Sequence, residues 1–259
     1  MAHTFNTRSI IRILTLACLV AALPGGFVQA APGDTTRVSV DSAGGQANAP
    51  SRRSVISADG NYVAFTSEAT NLVSGDTNDL PDVFVHDRQT GLTERVSVAD
   101  DESQANSWSE DPPAISADGR YVAFVSMASN LVSGDTNNIM DVFVRDRQLG
   151  QTTRVSVDSS GAQVSGDEWT NFGGLALSGD GRFVVFTSNV TSLVTGDTNG
   201  AEDVFVHDRQ TGATIRISVS SSGEQSNASS YSGSISGNGQ LTAFTSGATN
   251  LVSDDTNGV

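Results

Sequence analysis

The sequence predicts an all-β fold: a β-propeller of four-stranded antiparallel blades, with about three and a half blades present in its 259 residues. Three observations predict it. First, two unrelated markers recur with one shared step. An Asp-Gly or Asn-Gly pair stands at Asp59, Asp118, Asp180 and Asn238. An Asp-Thr-Asn triplet stands at Asp76, Asp135, Asp197 and Asp255, and both series advance by 59, 62 and 58 residues. Agreement between the two establishes an internal repeat. Second, inside each unit the apolar residues have a period near two and are bounded by Gly, Asn and Asp, as in strands joined by hairpins. Third, apolar residues fall on both faces of a strand, Val142 and Val144 against Phe143. A sheet covered on both sides is what radially packed blades provide, and no amphipathic helical pattern follows residue 31.

Taken in order, residues 1–30 read as a secretory signal peptide. Arg8 and Arg12 precede an apolar run from Ile13 to Leu23, and Val28-Gln29-Ala30 offers small residues at the cleavage spacing. The run is shorter than the roughly 20 apolar residues that a membrane-spanning helix needs. No later segment approaches that length, so no membrane span is expected. The single cysteine, Cys18, lies inside this segment, and Thr15 stands where a lipoprotein site favours Leu. The expected mature chain therefore has no disulfide and no thiolate metal site, and it should be exported to the periplasm or the medium.

Residues 31–259 divide into units at about 41–98, 99–157, 158–219 and 220–259. In the second unit we expect strands at Ala114 to Ser116, Tyr121 to Ser126, Val142 to Arg145 and Thr152 to Val157. Tight turns at Ala117-Asp118-Gly119 and Asp146 to Gly150 join the outer pairs, and a longer loop through Asp135 joins the inner one. A third marker, Arg-Val-Ser-Val or Arg-Ile-Ser-Val, begins at Arg37, Arg95, Arg154 and Arg216. Arg37 to Val40 then reads as a lone fourth strand that closes a ring by joining the last blade. The fourth unit stops within its loop, so a fragment of a larger ring is expected.

The segments ISADGNYVAFTS from Ile56, ISADGRYVAFVS from Ile115 and LSGDGRFVVFTS from Leu177, each followed by DVFVHD or DVFVRD, resemble the TolB-like β-propeller repeats of exported bacterial proteins. That resemblance covers residues 31–259 and implies the fold. It does not fix an activity, because such propellers serve as docking platforms, assembly proteins and accessory domains of hydrolases. Units here are longer than is usual in that family, the extra length lying in the Asp-Thr-Asn loop and in the Ser-, Gln- and Asn-rich linkers.

Charge narrows the partners. The formal net charge is −15, or −17 once Arg8 and Arg12 are removed with the signal, and all 14 basic residues are arginine. Nucleic acid and anionic membrane are disfavoured, since phosphate contacts need a basic surface. A protein, peptide or glycan partner on an acidic loop face is expected instead. The face is the one shared by the Asp-Thr-Asn loops and the linkers carrying Gln46, Gln104, Gln163 and Gln225.

The candidate metal site is the spacing Asp-x-Asn-x-x-x-Asp. Asp76, Asn78 and Asp82, then Asp135, Asn137 and Asp141, then Asp197, Asn199 and Asp203, put hard oxygens at positions one, three and seven of a loop, as calcium prefers. Position five is Leu80, Ile139 or Ala201, so a third acidic ligand is absent. The alternative reading is a turn in which Asp and Asn cap nearby amides while the last Asp anchors its strand.

Catalytic patterns are weaker. Gly233-Ser234-Ile235-Ser236-Gly237 matches a nucleophile elbow in letters only, because Ser236 aligns with Ser57, Ser116 and Ser178 and no helix follows. His86 and His207 replace each other and Arg145 in the repeat, which points to a structural role. Asp87, Asp146 and Asp208, each followed by Arg, should form turns and local ion pairs. Trp108, Trp169 and Tyr231 fall in the linker before the first strand, as packing residues or stacking platforms. The expected function is a non-enzymatic binding scaffold, with calcium as its one candidate cofactor. The rival is the propeller portion of a larger secreted hydrolase, peptidase or lyase.

Overall fold

The computed structural model describes residues 35–166, 170–253 and 255. The signal-peptide reading, Cys18 and Trp169 lie outside them. Among the described residues fourteen strands are formed: β1 (Ser51–Ile56), β2 (Tyr62–Ser67), β3 (Asp82–Asp87), β4 (Thr93–Arg95), β5 (Ala114–Ile115), β6 (Tyr121–Ser126), β7 (Asp141–Asp146), β8 (Gln151–Arg154), β9 (Phe172–Leu177), β10 (Phe183–Ser188), β11 (Asp203–Asp208), β12 (Thr214–Arg216), β13 (Ser230–Ile235) and β14 (Thr242–Ser246). They pair in chain order as three four-stranded antiparallel sheets, β1–β4, β5–β8 and β9–β12, and a two-stranded sheet, β13–β14. The architecture is an all-β propeller of about three and a half blades.

The two middle strands of each full blade are buried on both faces because the faces serve different neighbours. Val83 and Val85 of the first blade meet Phe124 and Phe143 of the second in one core. Val142 and Val144, on the opposite face of the second blade, meet Phe172, Phe186 and Phe205 of the third in another. Register sets the paired rings directly opposite each other, Phe124 on Phe143 and Phe186 on Phe205, with centroids 5.8 and 5.7 Å apart.

The first strand of a blade is the least regular. β1 bulges between Arg52 and Val55, where Arg53 takes a positive φ. β9 and β13 shift at Gly174 and Ser232 in the same way. β5 is cut to two residues because Pro112 and Pro113 just before it have no N–H to donate.

At one end, the turns between first and second strands carry a backbone ladder from blade to blade. Asp59 N–H donates to Ala117 O at 3.2 Å, Ala117 N–H to Gly179 O at 2.9 Å, and Gly179 N–H to Gly237 O at 2.8 Å. The turn glycine lies over the preceding blade's aromatic: a Cβ on Gly119 would come within 2.1 Å of Tyr62, and one on Gly181 within 2.2 Å of Tyr121. Those rings also receive the guanidinium of the next blade, Arg147 over Tyr62 at 4.5 Å and Arg209 over Tyr121 at 4.4 Å.

Two expected elements differ. The fourth strands end at Arg95, Arg154 and Arg216; the next residue still donates to the third strand, Val96 to Val83 O, Val155 to Val142 O and Ile217 to Val204 O, each at 2.8 Å, and the chain then passes into a linker held by single bridges, Val98 to Gln104, Val157 to Gln163 and Val219 to Gln225. Arg37 to Val40 is accordingly not a strand. Val40 bridges Gln46 in the same way, and its carbonyl accepts from Thr93 Oγ1 at 2.6 Å, so this segment docks on the first blade itself.

Candidate functional site

The loop between second and third strands and the linker beyond the fourth strand meet at one end of each blade, as the sequence predicts. What they build is a buried clasp. In the first blade Asp82 opens β3 with no exposed surface. Its Oδ1 accepts from Ser97 Oγ at 2.5 Å, and its Oδ2 lies 3.2 Å from Arg95 Nη1. Asp76, reaching in from the loop, lies 3.4 Å from the same Nη1 and accepts from Gln104 Nε2 at 3.0 Å. Asn78 donates to Ala105 O at 3.0 Å, while its own oxygen receives the N–H of Leu80 at 3.1 Å.

The second and third blades repeat this arrangement. Arg154 Nη1 sits 3.2 Å from Asp135 and 3.6 Å from Asp141. Arg216 Nη1 sits 3.3 Å from Asp197 and 3.4 Å from Asp203. Ser156 and Ser218 donate to the strand aspartates. Asn137 and Asn199 tie the loops to Val164 O and Ser226 O.

Six of the nine predicted ligands, the aspartates, therefore converge in pairs on an arginine, while the three asparagines tie the loops to the linkers. For calcium the donor set fits poorly. Two carboxylates are shared with a guanidinium, and the asparagine oxygens cap a backbone amide. Sequence reasoning missed Arg95, Arg154 and Arg216 and their partners Ser97, Ser156 and Ser218, although the signal was present. Each Arg-x-Ser follows its strand aspartate by a constant 13 residues.

Burial dominates the electrostatics. It pushes the Asp82 carboxyl up to about 6 against the lowering by Ser97 and Arg95. It does the same to Asp141, against Ser156, Asn137 and Arg154. Asp76, Asp135 and Asp197 are raised by burial too, the last also by the charge of Asp203.

Beside each clasp lies a polar cleft, at the same place in three blades. In the second blade about 650 Å³ opens between Asp100-Asp101 of the linker, Ser129 to Gly134 of the loop, and Thr152. Its counterparts are about 470 Å³ between Asp41-Ser42 and Asn71 to Ser74, and about 300 Å³ between Asp158 to Ser160 and Ser192 to Thr195. The floor is a repeated leucine, Leu72, Leu131 or Leu193, and the walls are hydroxyls and carboxylates with no basic side chain among the lining residues.

The remaining candidates are engaged structurally. Ser236 Oγ donates to Asn238 in a turn, the contact that Ser57, Ser116 and Ser178 make with Asp59, Asp118 and Asp180. His86 and His207 are buried, each with Nδ1 2.9 Å from a threonine hydroxyl, Thr93 or Thr214. Asp87, Asp146 and Asp208 cap their turns. The ion pairs at Asp146 and Asp208 come from Arg120 and Arg182 of the neighbouring turn rather than from the arginine that follows in sequence. Trp108 is half-buried, and Tyr231 lies in β13 rather than in the linker, where it is exposed.

No family model matches the chain, and no curated protein matches it. Solved structures do. TolB from Acinetobacter baumannii aligns at 18% identity with a TM-score of 0.47, over 76% of this chain and 37% of that one. The chain resembles the TolB propellers in fold. The putative TolB from Agrobacterium tumefaciens aligns at 16% identity and a TM-score of 0.46, covering 77% and 55%. The tricorn protease aligns at 14% and 0.44, covering 74% and 15%. This chain thus spans about half or less of the length of these proteins, and the likeness concerns fold alone.

Proposed function

We propose that this chain is an exported, non-enzymatic propeller that binds a protein, peptide or glycan through its acidic loop face. The observation that carries the reading is the recurrence of one polar cleft, with the same floor and the same kinds of wall, in three successive blades. A repeated cleft suits an extended ligand held at several points, where linked weak contacts give strong overall binding. The absence of any basic lining residue favours ligand groups that are cationic or rich in hydroxyl and amide donors. The serine and histidines that resemble catalytic groups support a binding role, being committed to turns and to threonine. Calcium enters this reading only as an ion that would have to compete with Arg95, Arg154 and Arg216 for their carboxylates.

The test uses the chain as bait in its native envelope or medium, beside a variant with Ser74→Arg, Ser133→Arg and Thr195→Arg. All three positions are exposed at the cleft rims. A partner recovered by the wild type and lost with the variant is expected. A partner held equally by both, or turnover of peptide or glycan by the chain itself, would overturn the reading.

A further inference from the structure

Each linker that walls a cleft is pinned to the fourth strand of the blade that follows it by one contact, in three copies. Thr93 Oγ1 donates to Val40 O, Thr152 Oγ1 to Val98 O and Thr214 Oγ1 to Val157 O, each at 2.6 Å. A hydroxyl has a single proton. Having given it to the linker, Thr93 and Thr214 accept from the imidazoles 2.9 Å away, which places the proton of His86 and of His207 on Nδ1 and leaves Nε2 to take up another. In the second blade Arg145 stands in the place of the histidine. Its Nη1 donates to Thr152 Oγ1 at 3.2 Å and to Ala99 O at 3.1 Å, and its Nη2 meets Glu102.

Glu102 is the second half of this exchange. Its N–H closes the linker turn on Ala99 O, as Gly44 does on Asp41 O and Gly161 on Asp158 O, so the three positions are equivalent. All take a positive φ, +63°, +86° and +80°, and the linker that faces the arginine places a glutamate in that conformation where the others place glycine. The permanent cation thus has its carboxylate. Among the described residues no acidic side chain pairs with either histidine ring.

We propose that the His86 and His207 clips are acid-operated latches: protonation of the two rings releases linker residues 41–45 and 158–162 from β4 and β12 and opens the walls of the first and third clefts, while Arg145 and Glu102 keep the wall of the second in place. The latch rests on the binding reading for its consequence alone.

Both rings are deeply buried, His86 7% and His207 5% exposed. The charged groups around His86 are committed elsewhere. Asp87 Oδ1 caps Gln89 and Thr90, Arg88 is held on Gly60 O, and Asp41 Oδ1 of the linker accepts from Ala43 and Gly45, while β2 and β4 set only Val63 and Thr93 opposite the ring. Around His207, Asp208 pairs with Arg182, Arg209 lies over Tyr121, Asp158 Oδ1 accepts from Ser160 and Ala162, and β10 and β12 set Val184 and Thr214 opposite. Burial holds both imidazoles below their usual value, the pull of Asp87 and Asp208 being opposed by Arg88 and Arg209. A group kept neutral by the fold contributes stability above its unfolded value, and that stability is lost as pH falls through the folded one.

Two measurements on the full chain test this. The N–H groups of Thr93, Thr152 and Thr214 donate to Ser42, Asp100 and Ser159 of their linkers, so their hydrogen exchange reports docking in three copies at once. Between about pH 7.5 and pH 5, corrected for the intrinsic pH dependence of exchange, protection at Thr93 and Thr214 should fall relative to Thr152, by up to about tenfold for each pH unit below the ordinary histidine value near 6.5. Three threonines that keep step across this range would overturn the proposal. The second measurement moves the arginine pair into both clips, with His86→Arg and Gly44→Glu beside His207→Arg and Gly161→Glu. Thr93 and Thr214 should then follow Thr152, and an acid response that survives the exchange would refute the latch. If that variant does not fold, the comparison of the three threonines in the wild type decides alone. No ligand is used, so failure here leaves the binding reading of the clefts standing.

Discussion

Replacing Gly181 with alanine tests the packing of one blade on the next, and Gly212 supplies the control. Both have positive φ, +69° and +78°. A side chain there costs about 1–2 kcal/mol of backbone strain, partly offset by the lower entropy of the unfolded chain. At Gly212 nothing lies within 4 Å of the new Cβ, so strain is the whole effect, about 1 kcal/mol net. At Gly181 the Cβ would sit 2.2 Å from the Tyr121 ring, which is held between Arg120 at 4.8 Å and Arg209 at 4.4 Å. The ring must move, at an overpacking cost of about 1–3 kcal/mol with some loss of the cation–π contacts. The expected total is about 3 kcal/mol. For a domain of this size 1 kcal/mol lowers Tm by about 2–4 °C, so Gly181→Ala should melt roughly 4–8 °C below Gly212→Ala. Adding Tyr121→Ala should shrink the difference, the part that remains coming from the Cβ of residue 121, 2.8 Å from the new one. If both single variants melt together, or the difference is undiminished without the Tyr121 ring, the aromatic does not couple the blades as described.

Four further outcomes are expected. Millimolar calcium against chelator should leave the wild-type Tm unchanged, because an arginine already supplies the cation of each loop; a clear rise abolished by the Asp76→Asn, Asp135→Asn, Asp197→Asn variant would return these loops to calcium. Ser156→Ala should cost about 1–3 kcal/mol in urea unfolding, since it removes the donor to Asp141 and the acceptor of the Val142 N–H at 3.0 Å. Arg182→Ala should lower stability slightly near neutrality, this arginine being partly exposed, and progressively less as the solution is acidified. The sign follows from Asp208, whose carboxyl Arg182 holds well below its usual value: that stability is fully present above the ordinary carboxylate range, declines as pH falls below that range, and is gone only once pH has passed the depressed folded value. Removal of residues 35–40 should lower Tm in this chain, because Val40 O accepts from Thr93; an unchanged Tm would show that this contact does not anchor the segment to the first blade.

The repeat, the four strands per blade and the turns between them were legible in the residues, because alternation and Asp-Gly punctuation are local consequences of side-chain direction and backbone sterics. Ser116 with Asp118 is such a case, two residues apart and closing its own turn. Convergence of the loop aspartates on one end of each blade was legible too, through the common spacing of Asp76 and Asp82. What they converge on was not. Arg95 meets Asp76 only after β3 and β4 have paired, and Gln104 only after the linker has folded back. Both contacts join residues far apart in sequence, and their geometry is set by register rather than by spacing. The same holds for Val40, whose sequence marks it as strand but whose carbonyl is claimed by Thr93. It holds for Gly119 as well, where the turn explains the positive φ but only the neighbouring blade's Tyr62 explains why no side chain fits. Local preference is written along the chain. The partner of a buried charge is chosen by packing, because only burial makes that charge costly enough to need one.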